Sequence, residues 1–281
     1  MASSAARALR DAVSSNLARV RERLAAACRS AGRDPKDVSL VAVTKYGGPS
    51  LVEAFLELGV QDLGENRSER IVSLDAHFGA RVRWHMIGHL QRNKARRVAS
   101  ALHALHSLDS LELAEKLDKR RAELSLAALP IYIEVNSGEE QKSGIDLSEL
   151  EGLARSLSRM TSLRVEGLMT MAPETENPEG ARPAFAALRA LLPRLESALG
   201  KPARGLSMGM THDLEIAIQE GATVVRVGRA LLEGVPEEVL LEDRAELARP
   251  GGRKEASERQ PDAQGQLGGP WGAEPPRKGA G

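Results

Sequence analysis

Lys45 closes the run LVAVTK (residues 40–45), in which only Thr44 is polar among the residues before it. A lysine starting from the edge of an apolar run is partly desolvated. Desolvation disfavours the ammonium and favours the neutral amine, the nucleophile that condenses with a carbonyl carbon. The same placement equally suits a lysine that lays its stem on the core and lifts its charge to water. Two glycine-bearing segments offer different chemistry. In SMGMTHD (207–213), Ser207, Gly209 and Met210 precede a helix that Thr211 can cap and whose first turn Asp213 suits. In VVRVGRALL (224–232), Gly228 opens space beside the backbone between a strand and a short helix. Free N–H groups at a helix start bind phosphate, although each segment alone reads as well as a cap or a tight turn. Arg226 lies on the strand of the second segment. It can pair with a phosphate, hydrogen-bond a ring nitrogen, or pair with a core-facing carboxylate such as Glu65 or Glu134.

Other patterns carry less. His85 and His89 are four residues apart, a helical metal-ligand spacing, but they straddle a strand end and Gly88, and no third ligand is in register, so no metal is expected. The basic stretch QRNKARR (91–97) lacks interleaved aromatics and reads as a solvated helix face, not a nucleic-acid site. No phosphate-binding Walker loop and no G-x-G-x-x-G sequence occurs, and no Ser-His-Asp arrangement follows from spacing.

The elements that must position these residues alternate. Strand-like runs fall at 38–44, 60–63, 82–87, 102–108, 131–135, 163–169, 203–206 and 223–227, with helix-length stretches at 49–58, 110–124, 147–160, 178–199 and 212–220. Parallel neighbours need crossover connections, so this alternation predicts a parallel sheet. Eight strands predict an α/β fold of the (β/α)8 TIM-barrel type; an open doubly wound sheet is the alternative. An amphipathic helix precedes it, with Leu9, Val13, Leu17, Val20 and Leu24 on one face and Gly32 and Pro35 ending it. In such a barrel the functional residues follow the strands' C-terminal ends. Lys45, Glu65 and Asn66, His85 and His89, Ser107 and Asp109, Asn136 and Ser137, 169–173, 207–210 and 226–229 all fall there.

The chain has 281 residues and a formal net charge of zero, which gives no whole-chain attraction to nucleic acid. Its one cysteine, Cys28, reads as a small core residue. No segment has the apolar length of a membrane span or the pattern of a signal peptide, so a cytoplasmic protein is expected, and a monomer, because no extended apolar surface is evident. The barrel is expected to occupy residues 1–242. Residues 243–281 hold eight glycines and five prolines among 39 residues and are expected to be a low-complexity, disordered tail.

Taken together, LVAVTK (40–45), LGENR (63–67), WHMIGHLQRNK (84–94), HSLDS (106–110), VNSGEEQKSG (135–144), GLMTMAP (167–173), SMGMTHD (207–213) and VVRVGRAL (224–231) resemble the pyridoxal phosphate homeostasis protein family. That family is similar to the N-terminal barrel of bacterial alanine racemase, and the resemblance spans about residues 5–235. It implies pyridoxal 5′-phosphate (PLP) as cofactor, held as a Schiff base on Lys45. It further implies that Ser207, Gly209 and Met210 hold the phosphate, partly through backbone N–H groups, and that Arg226 and Gly228 complete the cup, with Arg226 near the pyridine nitrogen. Asn66 is implied beside the ring, and Lys142 as a second lysine handling cofactor in transit. The family commonly has threonine after R-[IV]-G, where this chain has Arg229, which puts phosphate contact at 229 in doubt. The implied role is a non-catalytic carrier that buffers or delivers the cofactor in vitamin B6 homeostasis, with apo-enzymes that accept it as partners. The alternative is a PLP-dependent amino-acid racemase. Racemisation needs a base on each face of the substrate carbon. In alanine racemases the second base is a tyrosine from a separate β-domain, for which this sequence shows no pattern; its two tyrosines are Tyr46, adjoining Lys45, and Tyr132. An arginine at the pyridine nitrogen would also weaken the ring as an electron sink. A sugar-phosphate-binding barrel without Schiff-base chemistry is the third reading.

Overall fold

A computed structural model describes residues 4–137 and 143–247. Lys142 and the residues after 247 lie outside the described residues.

Eight parallel strands close on themselves in sequence order: β1 (Ser39–Val43), β2 (Asp62–Glu65), β3 (Arg83–Met86), β4 (Leu102–Leu108), β5 (Leu129–Glu134), β6 (Leu163–Met169), β7 (Gly205–Ser207) and β8 (Val224–Val227). Closure is made by β1 against β8, with Val41 opposite Arg226 and Ala42 opposite Val227. The helices are α1 (Ser4–Ser30), α2 (Pro49–Glu57), α3 (Ser68–Phe78), α4 (Ala95–Val98), α5 (Leu111–Glu123), α6 (Leu150–Leu157), α7 (Arg182–Ala190), α8 (Leu192–Leu199), α9 (Leu214–Gln219) and α10 (Glu237–Glu246). This is the expected (β/α)8 barrel. α3 and α10 were not among the stretches expected, α4 overlaps the 91–97 stretch read as a helix face, and the single helix expected over 178–199 is a 3-10 turn followed by α7 and α8.

Alternation along the strands separates two apolar compartments. One parity, with Ala42, Leu63, Trp84, Ile131, Ile133, Val225 and Val227, packs outward under the helices. The other parity points into the barrel, where Val41, Tyr132, Met169 and Val224 form a small buried cluster. The rest of the interior is polar: His85, His106, Ser207, Glu134 and Arg226 are all buried.

The N-terminal helix buries the predicted face, Leu9, Val13, Leu17, Val20 and Leu24. Asn16 on α1 donates to Leu231 O at 3.1 Å and Glu233 O at 2.9 Å, tying this helix to the turn after β8. At the other end α10 runs across the expected 242/243 boundary. Asp243 is buried and accepts from the N–H groups of Gly48, Ser50 and Leu51 at 2.6, 2.7 and 3.0 Å. The composition change begins there, but a carboxylate anchored in the start of α2 belongs with the barrel. None of the helices, among the described residues, is long and apolar enough to cross a membrane.

Candidate functional site

Thr44 follows β1 and is buried; its hydroxyl donates to Glu65 Oε1 at 2.7 Å. Glu65, at the end of β2, also accepts from Arg70 Nε and Nη2, both at 3.0 Å, and the same guanidinium donates to Gly47 O at 2.6 Å. The backbone is therefore fastened on both sides of Lys45, while Lys45 itself is half-buried, with Nζ 5.0 Å from the centre of the Tyr46 ring. Glu65 is committed to this network, so it is not the partner of Arg226.

Lys45 opens into a cleft of about 600 Å3 whose walls include Tyr46, Asn66, Arg67, Arg70 and Arg244. Asn66 is exposed and packs its backbone against Gly88. Glu65 and Glu69 line the cleft as well, and against Lys45 and three arginines they leave a net positive lining, which suits an anionic ligand. One of these walls, Arg244, comes from α10, in the segment expected to be tail.

The turn after β8 packs against the segment that carries Lys45. Because β1 and β8 are neighbours, a Cβ built on Gly228 would lie 3.0 Å from Tyr46 Cε2 and 3.2 Å from Val43 Cβ. A Cβ there would press on the lysine's own loop more tightly than ordinary van der Waals contact, so glycine suits this close approach. Gly209 has φ of +95°, a conformation that favours glycine, and its carbonyl accepts from Arg226 N at 2.9 Å. Thr211 does not cap α9; its Oγ1 accepts from Ala230 N at 3.2 Å and bridges the two loops. Asp213 precedes α9 and accepts from Met210 N at 2.6 Å, so that N–H is already committed within the loop.

Ser207 and Arg226 are buried inside the barrel, whereas Gly209, Gly228 and the exposed Met210 belong to the rim turns; none of the five lines the Lys45 cleft. The Arg226 guanidinium donates from Nη1 to Ser207 O (2.9 Å) and Oγ (2.6 Å) and from Nη2 to Thr170 O (3.1 Å). Burial lowers its pKa to about 10, against which the Glu134 carboxylate acts, so it remains charged at neutral pH. Burial also raises the Glu134 carboxyl above its usual range, a hydrogen bond from Ser143 at 2.6 Å opposing. Arg229 does not face this interior; it is exposed and 3.9 Å from Glu174.

His85 and His89 do not converge. His89 pairs with Asp109 at 2.8 Å near the surface. His85 turns inward, with Nδ1 2.9 Å from His106 Nε2 and Nε2 3.0 Å from Asp62 Oδ1. Asp62, His85 and His103 each bring one atom within 4.8 Å of the others, but Arg83 holds both oxygens of Asp62, at 2.7 and 2.6 Å, and already matches its charge. The basic stretch 91–97 is a paired surface: Arg92 with Glu112, Lys94 with Glu69 and Arg96 with Glu123. The inward histidines were missed in the sequence. Their signal was available, since WHMIGH and HSLDS place a histidine on each of two adjacent strands.

A parallel barrel with a lysine at the end of β1 and glycine turns after β7 and β8 defines the class. Residues 11–236 match the family "Alanine racemase, N-terminal domain". Among curated relatives, the pyridoxal phosphate homeostasis protein of Aquifex aeolicus is 38% identical over 217 residues, 76% of this chain and 95% of that protein. The structure of PipY from Synechococcus elongatus with PLP bound superposes with a TM-score of 0.69 at 29% identity, over 78% of this chain and 99% of that one. Alanine racemase of Corynebacterium glutamicum shares the fold, with a TM-score of 0.59 at 19% identity, over 82% of this chain and 64% of that one.

The chain belongs to the pyridoxal phosphate homeostasis protein family.

Proposed function

We propose that this protein binds pyridoxal 5′-phosphate, carries it as a Schiff base on Lys45, and buffers or delivers it to apo-enzymes in the cytoplasm as a monomer. One observation carries the reading: Lys45 is half-buried at the end of β1, in a cleft walled by arginines, beside the Gly228 turn. The relative PipY, whose structure holds PLP, lends support from similarity. When bound, the cofactor supplies an electrophilic aldehyde carbon. The chain's own residues do the rest. Lys45 provides the amine, and Gly228 lets backbone close on the phosphate. Ser207, Gly209 and Met210 form the second phosphate loop, Arg226 donates from below towards the ring, and Asn66 flanks it. Phosphate contact through the Met210 N–H requires Asp213 to release it.

The racemase reading lacks its second base among the described residues. Tyr132 is buried inside the barrel, stacked on His106 at 4.7 Å between ring centres, and Tyr46 lies against Lys45 itself. The test is the visible absorption of the purified protein mixed with PLP, before and after borohydride, with peptide mapping. Reductive trapping on Lys45 is expected, and its absence sinks the proposal. Rapid exchange of the α-proton of an L-amino acid in deuterated water would replace the carrier reading with the racemase.

A further inference from the structure

Two arginines of the Lys45 cleft have no counter-ion. Arg67 stands at the start of α3 and Arg244 on α10; both are exposed, and neither meets a carboxylate among the described residues. The two carboxylates of the cleft are engaged elsewhere. Glu65 takes Arg70 and the Thr44 hydroxyl, and Glu69 pairs with Lys94, which is not one of the cleft's walls. Arg70 is a third donor. Its Nε and Nη2 are bound to Glu65 and to the backbone of the Lys45 loop, which leaves Nη1 for a ligand.

The fold places Arg244 in this cleft by close packing. Asp243 beside it is held by the N–H groups of Gly48, Ser50 and Leu51. A Cβ built on Gly48 would lie 2.1 Å from Asp243 O and 3.0 Å from Arg244 N, so a side chain at 48 and α10 in this place exclude one another. The backbone of α10 therefore rests directly on the loop that carries Lys45. Leu247, one turn beyond Arg244, lines the same cleft.

The proposed phosphate cup is elsewhere. Lys45 and Asn66 belong both to the proposed cofactor site and to the cleft, but Ser207, Gly209, Met210, Arg226 and Gly228 do not line it. A phosphate held at the turns after β7 and β8 leaves Arg67, Arg244 and Arg70 Nη1 without an anion.

We propose that Arg67 and Arg244, with Arg70 Nη1, form a second anion site beside Lys45 that binds the phosphate of a small phosphate monoester. Resting on the proposed PLP site, this deepens it: a phosphorylated aldehyde arriving at or leaving the amine has a phosphate position outside the cup. A guanidinium fork offers two parallel N–H donors to phosphate oxygens, and arginines on two different elements can share the terminal oxygens of one phosphate. The site holds an anion and takes no part in a covalent step.

The test uses the full chain with PLP reduced onto Lys45 by borohydride, so that the cup is filled. The probes are pyridoxine 5′-phosphate, which has an alcohol in place of the aldehyde, and inorganic phosphate. Binding is followed by calorimetry and 31P NMR at low ionic strength, because salt screens an exposed site. The reduced protein is expected to bind one further equivalent of pyridoxine 5′-phosphate, displaced by inorganic phosphate. Arg67→Gln and Arg244→Gln are each expected to weaken it about tenfold, about 1.4 kcal/mol, and to leave the melting temperature near that of wild type, since neither side chain holds another element. Reduced protein that binds no further phosphate ester overturns the proposal. So does equal binding in the double variant, and so does a probe that inorganic phosphate cannot displace, which would mean that the ring and not the phosphate is recognised. A wild-type protein that traps no PLP on Lys45 sinks the proposed function instead; binding of both probes to the untreated chain, and its loss in the double variant, then still decides the anion site.

Discussion

Replacing Asp243 by alanine removes the carboxylate that accepts from three N–H groups at the start of α2, those of Gly48, Ser50 and Leu51. Loss of a helix N-cap typically destabilises by about 0.5–2 kcal/mol. Here Gly48 and Leu51 are buried with the carboxylate, so donors stranded without water add about 1–3 kcal/mol. The sum is about 3 kcal/mol. At about 2–4 °C per kcal/mol for a chain of this size, the melting temperature is expected to fall by about 6–12 °C. Asp243→Asn keeps one acceptor oxygen and is expected to lose about half as much. Because Gly48 is three residues from Lys45, the loop carrying the amine loosens too. Chemical denaturation of the two variants, beside chains ending at Glu242 and at Leu247, provides the assay. The shorter chain loses the carboxylate and the longer one keeps it, which separates the cap from the residues beyond. If Asp243→Ala melts within a degree of wild type, the three hydrogen bonds do not carry the stability assigned to them.

Lys45→Ala is expected to abolish the borohydride-trappable band while leaving the melting curve near that of wild type, and a persisting band would move the amine elsewhere. Gly228→Ala places a methyl 3.0 Å from Tyr46 and 3.2 Å from Val43, so PLP affinity measured by absorbance is expected to fall, by about tenfold for a modest displacement of the turn. Glu134→Gln tests the raised carboxyl pKa. The folded state holds that proton more tightly than the unfolded chain, whose carboxyl has the ordinary value of 4.5, so ionisation at neutral pH destabilises the wild type. The glutamine variant is expected to be the more stable at pH 7, with the gap closing as pH falls through the raised pKa towards 4.5. A constant gap across that range would show that Glu134 titrates normally.

Strand alternation, the N-terminal helix face and the rim residues were legible in the sequence because they rest on local periodicity and on the rule that barrel strands deliver their C-terminal ends to one rim. Leu102–Leu108 and Leu163–Met169 were placed residue for residue for that reason. The three-residue β7, expected at 203–206, lies at Gly205–Ser207, and the helix face expected at 91–97 narrows to α4 (Ala95–Val98), because elements this short give a period too few residues to fix their ends. Residue 243 was misread because composition changes there, whereas its place in the fold depends on one long-range carboxylate contact that composition does not encode. The same distinction governs the site. Lys45, Gly209 and Gly228 announce themselves by residue type beside an apolar run or a turn. What Arg226 touches does not: Glu65 and Glu134 were equally plausible partners on paper, and closure of the barrel gave it Ser207 and Thr170 instead. His85, His106 and Asp62 come from three different strands, and their meeting depends on inward parity and register across the closed sheet. Those are fixed only when all eight strands are paired.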